Sequence, residues 1–424
     1  MIITLIVFFV CGGILHFTFS EVTNILPVLD QISWLVILIC SIVFILELGK
    51  NIDNRKIYFV CVLGYFLRII TLIWISYFSD VFQLPNTGSD NLFFHNLGVL
   101  AGRNIIDPRN NLYSDLLGMI YQLFDGRILL GSYLNILLSM SSVVLLFRAL
   151  KLININFKTK LISISLYTLW PNFIIISSVT LRESIIIFLI GLSILKYTEW
   201  WMTNKKYYFC LSLVSVLLAT LFHSGAIAIL VGYMIGFILF QNDRGKADMN
   251  VRSISACIVL VIFLVVVMNF GGEALTAKFQ RFESITDTVE DVVDSRGGSG
   301  YSVGLSLGNP LLNLIVNTPI RLIFFLFSPL SWRGLADVIA FLSDSVLYFI
   351  LTFSIINKLP KKLKNDKLFF SILISLFITC VLFSWGVSNA GTALRHRTKI
   401  LPLFIFLFSI SKGKNINEQI NRKI

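Results

Sequence analysis

Runs of about twenty apolar residues recur along almost the whole chain, each closed off by a few polar residues. One such run is long enough to cross the hydrocarbon core of a bilayer as a helix. In lipid a backbone must satisfy its own hydrogen bonds, which leaves helices or closed barrels. Barrel strands are short and alternating, and these runs are long and uniformly apolar. The sequence therefore predicts an all-α polytopic membrane protein. Candidate spans lie at 1–19, 31–48, 57–77, 128–149, 161–179, 184–201, 207–222, 224–241, 254–270, 335–356, 368–387 and 398–411, about twelve in all. A hydrophobic share of 56% and a mean hydropathy of +0.83 agree with that class. No repeat, low-complexity tract or soluble domain interrupts 1–424, which reads as one integral membrane domain with two large loops, 78–127 and 271–334. The first run lacks a basic leader and a small-residue cleavage site, so it reads as a span and not a removed signal.

Basic residues set the orientation. With the N-terminus in the cytoplasm, the inner loops receive 22 of the 35 Lys and Arg residues, the outer loops 12, and Arg68 falls within a span. Enrichment of Lys and Arg on the cytoplasmic side favours this placement and puts both large loops outside. The segment near 311–330 is apolar enough to cross. A full crossing would move the cluster Lys358, Lys361, Lys362, Lys364 and Lys367 to the outside. With Pro310, Pro319 and Pro329 in it, the segment reads as re-entrant or interfacial. The net charge of +12 is then a signal of topology, and no soluble basic domain points to nucleic acid. All six cysteines lie in apolar runs and read as packing residues.

The outer basic residues are of one kind. Ten of the twelve are arginines, Lys278 and Lys399 being the exceptions, whereas the inner loops are rich in lysine. A guanidinium fork suits two-point binding of phosphate and stays charged when partly desolvated. The same face collects Asp90 and His95; Arg103, Asp107, Arg109 and Asp115; Arg182 and Glu183; His223; Arg281 and Arg296; and Arg395, His396 and Arg397. Each has a plain structural alternative. Arg182 and Glu183 suit an interfacial anchor, His223 a helix cap, and Asp90 the N-cap of a helix over 91–100. Arg296, followed by Gly297-Gly-Ser-Gly300, is a candidate lid. Asp90, Asp107 and Asp115 could form a hard-metal site with a lipid phosphate but have no signature spacing. Without an HExxH or phosphate-binding P-loop sequence the chain does not read as a zinc hydrolase or an ATP-driven machine, and no metal or other cofactor is expected.

Two stretches carry a resemblance. Leu181-Arg-Glu-Ser-Ile-Ile-Ile-Phe, followed by Leu221-Phe-His-Ser-Gly-Ala-Ile, resembles the central region of Wzy-type and EpsG-type bacterial polysaccharide polymerases. The stretches Gly88-Ser-Asp-Asn-Leu-Phe-Phe-His and Gly391-Thr-Ala-Leu-Arg-His-Arg, with Pro402 beyond, are similar to the wider C-type glycosyltransferase membrane fold. The resemblance implies polymerisation of undecaprenyl-diphosphate-linked oligosaccharide repeats into O-antigen, capsule or exopolysaccharide on the outer face of a bacterial cytoplasmic membrane. The implied partners are that glycan, membrane lipid and a chain-length regulator protein. The expected catalytic residues are Arg182, His223, Asp90 and Glu183, the base being left open among the last three. The expected lipid-phosphate ligands are Arg395, Arg397, His396, Arg296, Arg281, Arg103 and Arg109. Tyr113, Trp170, Tyr301, Trp332 and Trp385 are candidates for stacking on sugars. Two rivals stand beside this reading: a transferase using a polyprenyl-phosphate sugar, and a flippase or other transporter of lipid-linked oligosaccharide.

Overall fold

The computed structural model describes residues 2–20, 26–85, 87–103, 105, 111–124, 127–240, 310–330, 334–359, 366–387 and 389–413. The described elements are helical: α1 (Ile2–Ser20), α2 (Leu26–Asn51), α3 (Arg55–Tyr77), α4 (Ser89–Gly102), α5 (Leu112–Phe124), α6 (Ile128–Leu152), α7 (Phe157–Thr168), α8 (Pro171–Ser177), α9 (Glu183–Thr203), α10 (Lys206–Phe222), α11 (Ile227–Phe240), α12 (Pro310–Phe327), α13 (Leu335–Ala340), α14 (Val346–Ile356), α15 (Lys367–Trp385) and α16 (Ala390–Lys412). A 3₁₀ turn, Ser224–Ala226, precedes α11, and a π turn, Phe341–Ser345, joins α13 to α14.

Six of these stretches are long and apolar enough to cross a membrane, or seven if the bent pair α7–α8 counts as one span. Among the described residues the chain is thus all-helical and suited to multiple membrane crossings. The shorter apolar helices include Lys206–Phe222 and Ser224–Ile238, each expected to span. The expected span 254–270 lies outside the described residues.

Three local departures from the expected spans have clear causes. The run at 161–179 is bent by 50° between α7 and α8. Pro171 opens α8, and a proline disfavours helical backbone in the residue before it, so Trp170 is extended. The expected break near 311–330 does not occur at Pro319, which lies inside the continuous helix α12. The chain breaks only past Phe327, where Ser328–Pro329 is a cis peptide. The last helix begins at Ala390, upstream of the expected 398, because Asn389 caps it by accepting from the backbone N–H groups of Gly391 (2.8 Å) and Thr392 (3.3 Å). Arg395, His396 and Arg397 are therefore helical residues and not part of a turn leading into a span.

The helices gather into two compact units: Met1–Arg148 with Lys160–Leu192, and Ala149–Thr159 with Ser193–Ile424. In the first, Glu47 of α2 accepts from Ile3 N (3.3 Å), Thr4 N (3.1 Å) and Thr4 Oγ1, so a carboxylate covers the orphan donors at the start of α1. Helices α4 and α5 form a hairpin whose backbones nearly touch. A Cβ on Gly102 would lie 2.9 Å from Gly118 O, so a larger residue there separates the helices. In the second unit α11 packs on α15 through small residues. A Cβ on Gly236 would overlap Ser371 Oγ, and one on Gly232 would overlap Ser375. Between membrane helices, where lipid is as apolar as any side chain, such close approach supplies the packing. Cys40, Cys61 and Cys380 are buried, as packing residues would be, while Cys210 is exposed.

Candidate functional site

In the first unit the chain between α8 and α9 makes a short turn, 178–182, that carries Arg182. Three backbone and side-chain groups fix it. Asn135, a lone amide inside the apolar helix α6, donates through Nδ2 to Val179 O (2.6 Å) and Leu181 O (2.8 Å), and to the Tyr113 hydroxyl (2.9 Å). Asn91 of α4 accepts through Oδ1 from Thr180 N at 2.9 Å, and its carbonyl accepts from Thr180 Oγ1 at 3.1 Å. These bonds satisfy a buried turn that would otherwise leave orphan carbonyls. Arg182 is half-buried, with its guanidinium 5.7 Å from the centre of the Phe94 ring. Glu183, at 0% exposure, opens α9, where a negative charge complements the helix dipole.

The start of α4 thus lies against the turn that presents Arg182. Asp90, one residue before Asn91, is exposed. It is not the N-cap: that position is Gly88, and Asp90 sits in the first turn. Arg103 is exposed at the other end of α4. His95 is half-buried and its Nδ1 is 2.9 Å from the Tyr121 hydroxyl. Burial holds its imidazolium below the ordinary histidine range.

The second unit brings together the turn after α10, the end of α15 and the start of α16. The rings of His223 and His396 are 4.7 Å apart and perpendicular. Phe383 stacks on His223 (5.2 Å, 12°) and meets His396 edge-on at 5.2 Å. His223 caps the 3₁₀ turn, its Nδ1 accepting from Gly225 N at 3.2 Å. A Cβ at Gly225 would fall 2.4 Å from Phe383, so glycine is required for this stack. His396 Nδ1 is 2.8 Å from Thr392 O, one turn back on α16. Arg395, the preceding residue of α16, is half-buried. Arg321 of α12 lies 4.5 Å from the centre of the Trp385 ring, whose Nε1 donates to Thr318 Oγ1 at 3.0 Å.

Arg397 has a different setting from the one expected of a phosphate ligand. It is fully buried, 2.7 Å from Asp344 Oδ2, and donates to Phe325 O (3.1 Å) and Ser328 O (2.8 Å). Its guanidinium also faces the Tyr348 ring, and the Tyr348 hydroxyl donates to Arg397 O at 2.7 Å. With its charge opposed and both terminal nitrogens engaged, it clamps α16 to the π turn and to the end of α12. Asp344, an acid inside the apolar run 335–356, is its counter-ion.

The structure therefore places Arg182, Glu183, Asp90 and Arg103 in the first unit and His223, Arg395, His396 and Arg397 in the second. Arg109, Arg281, Arg296, Tyr301 and Trp332 lie outside the described residues. Tyr113, Trp170 and Trp385 are buried core or helix-end residues and do not line an open surface. The sequence reading missed Asn135 and Asn91. An uncharged amide in an apolar run gives little signal, although a polar group at that depth needs a partner. Among the described residues no cluster of metal-ligating side chains occurs. The chain matches no protein-family model, no curated protein and no solved structure.

Proposed function

We propose that the protein is a membrane glycosyltransferase that joins undecaprenyl-diphosphate-linked oligosaccharide repeats on the outer leaflet of a bacterial cytoplasmic membrane, giving O-antigen, capsule or exopolysaccharide chains. The sequence resemblance suggests the class. The observation that carries the reading is the meeting of two imidazoles, His223 and His396, where the turn after α10 reaches the start of α16, the helix that also carries Arg395. Proton transfer and neutralisation of a diphosphate are the two needs of this reaction, and these residue types supply both.

Diphosphate leaves readily once its developing charge is neutralised. Arg395 is assigned that role in the second unit, and Arg182 is the corresponding candidate in the first; one such donor is typically worth about 10²–10³ in rate. Arg397, holding α16 against Asp344, keeps Arg395 and His396 in register. The acceptor hydroxyl needs a base within hydrogen-bond reach. Asp90, exposed on the first turn of α4, and Glu183, buried at the start of α9, remain acidic alternatives to a histidine.

The test is purified protein in detergent with a defined undecaprenyl-diphosphate-linked repeat. A ladder of products supports the reading; a single added sugar from a polyprenyl-phosphate donor supports the simpler transferase. Arg182→Ala and Arg395→Ala are each expected to abolish the ladder while the protein stays in the membrane. One observation favours a transporter instead: a broken helix, α7–α8, with Arg68 buried at the break, a device that transporters use. Elongation without a second compartment sets that alternative aside.

A further inference from the structure

Helix α5 is apolar on both of its faces. One face, with Tyr113, Leu117, Ile120, Tyr121 and Phe124, is buried in the first unit. The other carries Leu112, Leu116, Met119 and Leu123, whose spacing sets them in one stripe along the helix. Met119 is 62% exposed, Leu123 47% and Leu112 41%. A helix on a wetted surface turns a polar side outward, whereas one that is apolar all round is enclosed by protein or by lipid. Ser114 is buried, and Asp115 and Gln122 fall to one side of the stripe, so no charge interrupts it.

The depth of α5 follows from what its two ends touch. Tyr65 is near the middle of the apolar helix α3, and its hydroxyl is 3.1 Å from that of Tyr133 on α6. At the start of α5 the Tyr113 hydroxyl accepts from Asn135, two residues past Tyr133, at 2.9 Å. At its end the Phe124 ring lies 5.2 Å from that of Phe8 on α1, and Phe8 in turn lies 6.0 Å from Tyr133. Both ends are thus tied to the stretch where α3 is halfway along its length. The 13 residues of α5 make a helix of about 20 Å, short of the roughly 30 Å of hydrocarbon that a span must cross.

We infer that α5 is embedded in one leaflet of the membrane without crossing it, and that Leu112, Leu116, Met119 and Leu123 rest on the acyl chains of the surrounding phospholipid. The sequence placed all of 78–127 outside as a loop, because a helix this short gives no spanning signal. At mid-depth of a span an exposed side chain meets acyl chains, as do Phe59, Leu63, Phe66 and Ile70 on the exposed side of α3. An uncharged stripe of leucine and methionine suits that neighbour. The turn that carries Arg182 shares this depth, since Ser178 Oγ donates to Arg68 O on α3 at 3.2 Å and Asn135 donates to Val179 O and Leu181 O. This placement is independent of the glycosyl-transfer reading.

The test uses purified full-length protein in nanodiscs of phosphatidylethanolamine and phosphatidylglycerol. With the six native cysteines replaced by alanine, a nitroxide label is introduced at Met119→Cys or Leu123→Cys and its collisions are read by electron paramagnetic resonance. Oxygen concentrates among acyl chains, and a nickel chelate stays in water. Helix α3 supplies the scale, with Phe66→Cys at its middle and Lys56→Cys in its exposed first turn. The ratio of oxygen to nickel collisions at 119 and 123 is expected to match that at 66 and to exceed that at 56 several-fold. Ratios equal to that at 56 put the stripe in water and overturn the placement. Exclusion of both reagents puts protein over the stripe, a second copy of the chain included, and overturns it as well. If the cysteine-free background does not fold, the wild-type protein is illuminated with phosphatidylcholine bearing a diazirine at mid-chain. Adducts within 112–124 are then expected; adducts within 55–77 and none within 112–124 overturn the placement.

Discussion

Arg68 and Arg397 are both fully buried guanidinium groups, and their units neutralise them in different ways. In the first unit Arg68 donates to Ser177 Oγ, Gly64 O and Thr168 O, each at 2.9 Å, and lies 4.7 Å from the centre of the Phe173 ring. None of these partners is a carboxylate. The carbonyl of Thr168 ends α7, so the cation meets the negative end of a helix dipole at the bend. In the second unit Arg397 faces the full charge of Asp344 at 2.7 Å. A dipole cage tolerates loss of its cation, since what remains is polar but uncharged. An ion pair does not, since what remains is a buried charge. A broken helix is thus stabilised by Arg68 with no anion required, whereas the start of α16 depends on a charge match.

Removing one partner of the pair tests this most severely. Arg397→Met strands the Asp344 carboxylate, and Asp344→Ala strands the guanidinium. Either is expected to cost about 3–5 kcal/mol, read as a lowered melting temperature in detergent. The double change Arg397→Met with Asp344→Leu is expected to recover most of that loss, because neither charge is then left buried. Additive losses in the double variant sink the ion-pair account.

The matching change in the first unit is expected to do less. Arg68→Met leaves carbonyls unpartnered at the α7–α8 bend, for about 1–3 kcal/mol. A loss equal to that of Arg397→Met erases the distinction between the two units.

Asn135→Leu extends the comparison to a neutral group. It strips the donor from Val179 O and Leu181 O, and a cost of about 1–3 kcal/mol is expected. Since those carbonyls flank the turn that carries Arg182, the elongation rate is expected to fall further than stability alone explains. An unchanged rate in a folded protein separates the turn from the chemistry.

The smallest effect belongs to His95. Burial lowers its folded pKa, so below about pH 6.5, the ordinary histidine value, the unfolded chain binds a proton that the folded chain resists. Stability is expected to fall as pH drops through that value and to level off below the folded pKa. His95→Gln is expected to flatten this dependence; an unaltered slope assigns it elsewhere.

Much of the local structure was legible in the residues. The expected spans 184–201 and 207–222 match α9 and α10 to within two residues at each end, because hydropathy is a property of consecutive side chains. The bend at Pro171 also had a local cause. The start of α16 was read too late, since the runs were bounded by charge, and an Asn cap at 389 allows a helix to begin with Arg395, His396 and Arg397 inside it. The candidate residues were found as types and not as roles. Arg395 and Arg397 look alike in sequence, yet one is half-buried and the other is sealed against Asp344.

By itself the sequence determined that the chain is helical and apolar enough to cross a membrane several times, since burial of the backbone in lipid leaves few other solutions. Only the tertiary structure decided which polar groups became clamps and which became caps. That choice depends on which carbonyl, carboxylate or N–H a distant or neighbouring turn brings within about 3 Å, as with Thr392 O for His396 and Gly225 N for His223.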